Sequence, residues 1–243
     1  IRAAGAIAVA YPCIAIQPPQ DTSELDAALQ SLAADEYDWL VVTSANTISS
    51  IQQRIEKLSL SLQTAAFKIA AVGESTARAA QSSLNRIVDL VPEEYIAEAL
   101  ASALLKRGAK NILLPESAIA RATLANLLRA GGTSVTTITA YETVCADDSS
   151  PLLPALDAGK VDVITFTSSS TVTCFLERMH KENEEADAPA LLQDVCIACI
   201  GSKTSTTAEE LGFENIIVPS TFTLEGMMAA TETYFEKLTS EKY

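Results

Sequence analysis

Short apolar runs alternate with longer amphipathic stretches along almost the whole chain. The apolar runs are rich in β-branched residues and predict buried strands, as in WLVVT at 39–43 and DVITFT at 162–167. The stretches between them have a helical period, as in NTISSIQQRIEKL at 46–58. Strand and helix in steady alternation predict an α/β fold whose parallel sheets carry helices on both faces.

The pattern places each predicted element between definite residues. Strands are expected at residues 6–11, 39–43, 68–73, 86–91, 111–115, 134–141, 162–167, 195–201 and 215–219. Helices are expected at residues 22–33, 46–58, 75–83, 95–108, 119–132, 169–182, 204–212 and 223–238. Residues 2–5, which end in Gly5, predict the last turn of a helix before the first strand.

The chain also repeats itself in order. Three segments of the first half return 124 to 128 residues later: DWLVVTS (38–44) as DVITFTS (162–168), IAAVGEST (69–76) as IACIGSKT (197–204), and Val-Pro (91–92) as Val-Pro (218–219). Three matches at a nearly constant offset predict two related α/β domains. The alternative is that strand–helix–strand units resemble one another by chance.

Charge narrows the range of partners. Acidic residues outnumber basic ones by 31 to 17, which leaves a formal net charge of −14. A protein that binds nucleic acid or an anionic membrane by itself has the opposite balance. No run approaches the roughly 20 apolar residues needed to cross a bilayer. We therefore expect neither nucleic acid nor a membrane as a partner.

Five cysteines and one histidine offer little material for a metal site. An odd number of cysteines without framework spacing argues against a disulfide scaffold and favours a reducing compartment. Cys196 and Cys199 lie three apart in an apolar strand, so they face opposite ways and are expected in the core. His180 adjoins a charged run and is expected in solvent. No metal site and no histidine-based triad are expected.

Hydroxyl and glycine residues follow four of the predicted strands, where the free N–H groups of the next helix favour an anion. They are Thr43, Ser44, Gly73, Ser75 and Thr76 in the first repeat, and Ser168, Ser169, Ser170, Gly201 and Thr204 in the second. Helix capping explains any one of them without a ligand. Their pairing across two repeats favours an anion-binding cleft, to which Lys203 and Arg121 could add positive charge. The glycine patterns of dinucleotide and P-loop sites are absent.

Tyr141 ends the predicted strand 134–141, where the chain passes from the first repeat to the second. A tyrosine at such a crossing is more often a packing residue than a reactive one. Its hydroxyl can nonetheless donate a hydrogen bond in a cleft.

Segments along nearly the whole chain resemble the uroporphyrinogen-III synthase family. They are YDWLVVTSANTI (37–48), IAAVGESTA (69–77), GGTSVTTITAYETV (131–144), VDVITFTSSSTV (161–172), ACIGSKTSTTAEELGF (198–213) and TLEGMMAATETYF (223–235). Each segment is weakly specific alone, whereas their joint order is specific. Members of this family close the linear tetrapyrrole hydroxymethylbilane to uroporphyrinogen III.

The resemblance implies two α/β domains joined by a two-stranded connector, with the substrate in a cleft between them. The first domain would combine residues 1–17 with 145–243, and the second would be residues 18–144. The resemblance carries the cleft lining over to Ser44, Ala45, Asn46, Thr76, Ser168, Ser169, Ser170, Thr204 and Tyr141. It implies a reaction without a cofactor, a substrate with eight carboxylates, and Tyr141 as the catalytic candidate.

The chain departs from the family pattern at three places. The opening strand of the family, with its Thr-Arg pair, is not found. The second glycine motif is IGSKTS at 200–205 instead of IGPxTA, which adds Lys203. The loop after NILLP contains Glu116-Ser117-Ala118 where glycine is common, although Arg121 and Leu124 still fit the helix that follows.

Two other classes of function stay open at this point. A two-domain protein that binds a small anion, or a regulatory protein of the same fold, would have the same hydroxyls without catalysis. As an enzyme, the chain is expected to act as a monomer in transient contact with the preceding enzyme of the pathway. It is expected in the cytoplasm, or in the plastid stroma if the source is photosynthetic and a transit peptide preceded Ile1.

Overall fold

A computed structural model describes residues 5–146, 152–182 and 187–240. The strands are β1 Ile14–Gln17, β2 Trp39–Val42, β3 Lys68–Ala71, β4 Asn111–Ser117, β5 Ser134–Cys145, β6 Val163–Phe166, β7 Cys196–Cys199 and β8 Ile216–Ile217. The helices are α1 Ser23–Ala33, α2 Ala45–Leu58, α3 Glu74–Leu84, α4 Ala97–Lys106, α5 Thr123–Ala130, α6 Leu153–Asp157, α7 Ser169–Glu182, α8 Ala188–Leu191, α9 Ser202–Glu210 and α10 Leu224–Ser240. None of these described helices has the length and apolar composition of a bilayer span.

The strands form two sheets. One has the order β1-β5-β4-β2-β3, and its pairs β2–β3, β2–β4 and β4–β5 are parallel. The other has the order β6-β7-β8, and both of its pairs are parallel. The predicted α/β fold with parallel sheets is confirmed.

The chain divides into two compact units. The terminal unit combines Ile1–Ala15 with Val144–Tyr243, and the central unit is Ile16–Thr143. The domain limits predicted from the sequence, at 17/18 and 144/145, stay a prediction.

The central unit has a core on each face of its sheet. Strand β2 shows why, because all four of its residues are buried and successive side chains point to opposite faces. Leu40 and Val42 belong to one apolar cluster, which includes residues of α1, α2 and α3. Trp39 and Val41 belong to the other, with residues of α4 and α5. The near-continuous apolar run of β2 follows from this double coverage.

The terminal unit has one core around three aromatic rings. The ring centroids of Phe166 and Phe175 are 5.3 Å apart, in an edge-to-face arrangement, and Phe213 packs against both. Cys199 is fully buried in this cluster, and Cys196 is buried as well, as predicted. Burial raises the pKa of both thiols to about 11, so neither is a thiolate at neutral pH.

Two predicted strands are wrong. Residues 6–13 have no regular structure, and β1 begins only at Ile14; an apolar run forms a strand only where a neighbour accepts its backbone hydrogen bonds. The predicted strand 86–91 is reduced to one bridge, between Ala70 and Leu90. There the carboxylate of Asp89 accepts the N–H of Ile69 at 2.9 Å, in place of a continued ladder. The predicted end of a helix at residues 2–5 falls largely outside the described residues.

The cysteine analysis also needs a correction. Cys145 at the end of β5 and Cys174 in α7 form a disulfide, with their Cα atoms 5.0 Å apart. The two residues are 29 positions apart and belong to different elements, so spacing alone does not reveal the pair.

Candidate functional site

The central unit brings the hydroxyl residues after β2 and β3 to one edge of its sheet. The two strands are parallel neighbours, and Val42 pairs with Ala71 at their carboxyl ends. Thr43 and Ser44 follow β2, Ala45 and Asn46 open α2, and Gly73 to Thr76 follow β3. The predicted residues of the first repeat therefore lie at the position where parallel α/β sheets bind ligands.

Ser44 both caps a helix and contacts Tyr141. Its side chain is the N-cap of α2 and accepts the N–H of Thr47 at 3.1 Å. The Tyr141 hydroxyl lies 3.3 Å from the same oxygen. The Ser44 side chain therefore caps α2 and contacts the candidate residue Tyr141 at the same time, because a hydroxyl oxygen has enough lone pairs for both contacts.

Tyr141 is buried and held in place through its backbone. Ser50, on α2, donates a hydrogen bond to the carbonyl of Ala140, next to Tyr141. On the other side, the Ala118 N–H donates to the carbonyl of Tyr141 at 3.0 Å. The phenol ring is therefore positioned by α2 and by the loop after β4, which suits a group that must present one hydroxyl.

Gly73 is the N-cap residue of α3 and has no side chain that could accept a hydrogen bond there. The residue is in extended conformation, and no described side chain accepts a hydrogen bond at this cap. Three positions on, Thr76 is only 7% exposed, and its hydroxyl has no hydrogen-bond partner among the described residues. Free N–H groups and a hydroxyl without a described partner at one helix end suit an anionic group.

The terminal unit builds the same edge from β6 and β7. Phe166 pairs with Cys199 at the carboxyl ends of these parallel strands. The side chain of Ser168 accepts the N–H of Thr171 at 3.3 Å, as Ser44 does with the residue three positions after it. Ser170 is beside it, with the two hydroxyl oxygens 3.0 Å apart.

Ser169 links the two loops of this edge. Its hydroxyl donates to the carbonyl of Lys203 at 3.2 Å and accepts from the hydroxyl of Thr207 at 2.8 Å. Gly201 caps α9 in extended conformation, again without a side-chain cap among the described residues. Thr204 is 5% exposed, and in the described structure its hydroxyl has no partner either. Lys203 is exposed in the first turn of the same helix.

The predicted residues therefore fall into two sets of the same geometry, one in each unit. Sequence reasoning did not single out Thr47 and Thr171, whose N–H groups hold the two serines. The signal was present, since the spacing Ser-x-x-Thr recurs at 44–47 and 168–171. His180 is exposed on α7, and among the described residues no three His, Cys, Asp or Glu side chains cluster as a metal site requires.

A shallow hollow of about 220 Å³ lies beside the loop that departs from the family pattern. Glu116, Arg129 and Thr137 line it. Burial raises the pKa of Glu116, and the positive charge of Arg129 works in the opposite direction. Leu124 is buried on α5, whereas Arg121 is exposed and outside this lining.

The chain is similar to known proteins along nearly its whole length. The family described as uroporphyrinogen-III synthase HemD matches residues 1–229. A uroporphyrinogen-III synthase of Synechococcus elongatus is 33% identical over 245 residues, which covers 98% of this chain and 90% of that protein. A chloroplastic uroporphyrinogen-III synthase of rice is 27% identical, over 85% of this chain and 65% of that protein.

A solved structure has the same fold. The uroporphyrinogen-III synthetase of Helicobacter pylori superposes with a TM-score of 0.59 at 15% identity, and the match covers 91% of each chain. At this identity the likeness supports the fold alone. The family match over nearly the whole chain supports membership, and the chain belongs to the uroporphyrinogen-III synthase family.

Proposed function

We propose that the chain acts on hydroxymethylbilane and that its two sets of hydroxyl and N–H donors hold this substrate. As a uroporphyrinogen-III synthase it is a cyclising lyase of porphyrin biosynthesis. The observation that carries the proposal is the duplication of one donor set. Ser44, Gly73 and Thr76 in the central unit correspond to Ser168, Gly201 and Thr204 in the terminal unit.

The substrate chemistry fits such donors. Hydroxymethylbilane carries eight carboxylates on four pyrrole rings. Loss of its hydroxyl as water leaves an azafulvenium cation, which attacks the substituted carbon of the last ring. The resulting spiro intermediate fragments, the last ring inverts, and ring closure gives the III isomer. The protein must hold the chain and exclude water, which needs directional donors and no strong nucleophile.

Tyr141 is proposed as the group that assists departure of the hydroxyl. A phenol hydroxyl can donate its proton, or donate a hydrogen bond, to the leaving oxygen. Ser44, whose oxygen lies 3.3 Å from the phenol oxygen, would fix the direction of that hydroxyl. The bond between the methylene carbon and the hydroxyl oxygen breaks, and the oxygen leaves as water with the proton that the phenol supplies. The lone pair of the pyrrole nitrogen forms the new double bond of the azafulvenium cation.

The finer architecture is part of the proposal. The division into a terminal and a central unit, at 15/16 and 143/144, supports two domains. Limits at 17/18 and 144/145 and a two-stranded connector stay part of the proposal. Action as a monomer, transient contact with the preceding pathway enzyme and a cytoplasmic or plastid location stay predictions.

The product isomer tests the function. We would incubate the protein with hydroxymethylbilane, oxidise the products and separate the porphyrin isomers. The synthase is expected to give the III isomer, whereas the substrate alone closes to isomer I. Isomer I in the presence of folded protein would contradict the proposal and favour an anion-binding or regulatory protein. Heat-denatured protein is the control for spontaneous closure.

A further inference from the structure

The internal repeat continues beyond the Val-Pro pairs to an aromatic residue. Val91-Pro92 is followed three positions after the proline by Tyr95, and Val218-Pro219 is followed at the same distance by Phe222. In both copies the proline is buried. Both aromatic side chains are largely exposed, Tyr95 by 60% and Phe222 by 62%. Single exposed apolar residues are common in proteins, but two at equivalent positions of a repeat are less easily explained by chance.

Each ring lies over a glycine of the donor sets. A Cβ atom on Gly73 would be 3.1 Å from Cγ of Tyr95, and one on Gly201 would be 3.4 Å from Cγ of Phe222. The two glycines have φ of −164° and −170°, which any residue adopts. At Gly73 the glycine therefore serves the close approach of a ring and not an unusual backbone conformation, whereas at Gly201 the ring lies at ordinary van der Waals distance.

The surroundings of each ring combine an apolar surface with anion donors. Tyr95 stands beside the uncapped start of α3, where Thr76 has its unused hydroxyl. Phe222 lies beside the start of α9, which has no side-chain cap, and the hydroxyl of Thr204 at this start has no described partner either. A ligand that satisfies both features has a flat apolar ring and carboxylates a few bonds away from it. A pyrrole ring of a carboxylated tetrapyrrole has this form.

We infer that Tyr95 and Phe222 contact the substrate, each packing against one pyrrole ring whose carboxylate binds at the adjacent helix start. This inference rests on the proposed function for the identity of the substrate. Aromatic rings prefer offset or edge-to-face contact with another ring, which adds attraction beyond the buried area. The rings would thereby place the pyrroles, while the N–H groups and hydroxyls hold the carboxylates.

Ring removal and ring retention test the inference together. Tyr95→Ala and Phe222→Ala are each expected to raise KM and the product Kd about 2- to 10-fold, with the III isomer still formed. Tyr95→Phe and Phe222→Tyr keep the ring and are expected to restore most of the affinity. Ile87→Ala and Leu238→Ala remove exposed apolar side chains elsewhere in the two units and should leave both constants unchanged. Melting temperatures of all variants show whether the fold persists.

Tyr95→Leu and Phe222→Leu provide the second measurement, because they keep an apolar contact with the glycine but remove the ring. Weakened product binding in these folded variants supports the inference, and parent-like KM and Kd in the alanine and leucine variants would overturn it. The proposed function is judged separately by the isomer that the parent protein forms. A parent that makes only isomer I refutes the function, whereas Kd values for uroporphyrinogen III still decide whether the rings bind a pyrrole.

Discussion

Replacing Tyr141 with phenylalanine removes one oxygen from the candidate site. The lost contact is the 3.3 Å approach to the Ser44 hydroxyl, a long hydrogen bond, and the ring keeps its packing. The free energy of unfolding should therefore fall by no more than about 1 kcal/mol. General-acid assistance accelerates reactions typically by about 10²–10⁴-fold. Since hydroxymethylbilane also ionises spontaneously, we expect a rate loss at or below the lower limit, about 10²-fold.

The assay measures the initial rate and the isomer ratio of Tyr141→Phe, with circular dichroism and melting temperature beside them. The III isomer should still dominate, because the choice of isomer depends on how the chain is held. Tyr234→Phe is the matched control: it also removes a tyrosine hydroxyl, which contacts Asn215 at 2.9 Å. Tyr234→Phe should lower the free energy of unfolding by a similar amount and leave the reaction rate unchanged.

Ser44→Ala completes a double-mutant cycle with Tyr141→Phe. If Ser44 orients the phenol, the rate losses of the two variants should not add, because the second substitution removes an effect already lost. The loss of the helix cap in Ser44→Ala costs about 1 kcal/mol of stability, which the melting temperature reports separately. An unchanged rate in folded Tyr141→Phe would exclude Tyr141 from the chemistry. A fast variant that makes isomer I would mean that Tyr141 steers the substrate chain instead.

Three further predictions concern binding and stability. Thr76→Val and Thr204→Val should weaken product binding about 2- to 10-fold by calorimetry, because each removes a hydroxyl from a helix start of the donor sets. The melting temperature should stay close to that of the parent, because valine keeps the shape of the side chain and neither hydroxyl has a hydrogen-bond partner among the described residues; parent-like affinity would show that these hydroxyls do not bind the product. Arg54→Leu breaks the ion pair that lowers the pKa of Asp26 and should lower the free energy of unfolding by about 1.5–3 kcal/mol at pH 7, measured by denaturant unfolding. Because this contribution is lost as the pH falls through the lowered pKa of Asp26, the unfolding free energies of parent and variant should converge below about pH 4. A difference that stays constant with pH would contradict the pairing. Cys174→Ser should cost about 3–4 kcal/mol, and a reductant should then lower the melting temperature of the parent but not of the variant.

Local signals explain the elements that the sequence predicts well. Helices α2 and α7 lie within one residue of their predicted limits. Their start signal, Ser-x-x-Thr, and their 3.6-residue period both depend only on residues that are close in the sequence. Helices α6 and α8 were missed, although a proline in the first turn of each was a usable signal. The wrong strand at 6–11 had the right composition, but strand formation depends on a partner that is distant in the sequence.

The same distinction applies to the candidate site. Ser44 and Ser168 could be predicted because caps are local. The contact between Ser44 and Tyr141 joins residues 97 positions apart and depends on the sheet order β5-β4-β2, which no short pattern reveals. Tyr95 and Phe222 are hard to predict for another reason. They lie three positions beyond the Val-Pro pairs, which are the last matched segments of the repeat, and an exposed aromatic residue has no distinctive period.

Under the proposed function, a protein of net charge −14 binds a substrate with eight carboxylates, which requires donors whose effect is local. Salt screens exposed charges beyond about 8–10 Å, so the overall negative charge weakens binding little at the site itself. Helix N–H groups and hydroxyls act at hydrogen-bond distance and in fixed directions. A cluster of lysines would bind the carboxylates with less preference for geometry. Because the III isomer requires attack at a different carbon of the last ring than isomer I does, directional donors suit the reaction better than charge does. The two donor sets consist of glycine, serine and threonine, and the charges beside them have both signs: Lys203 lies in the first turn of α9 and Glu74 in the first turn of α3.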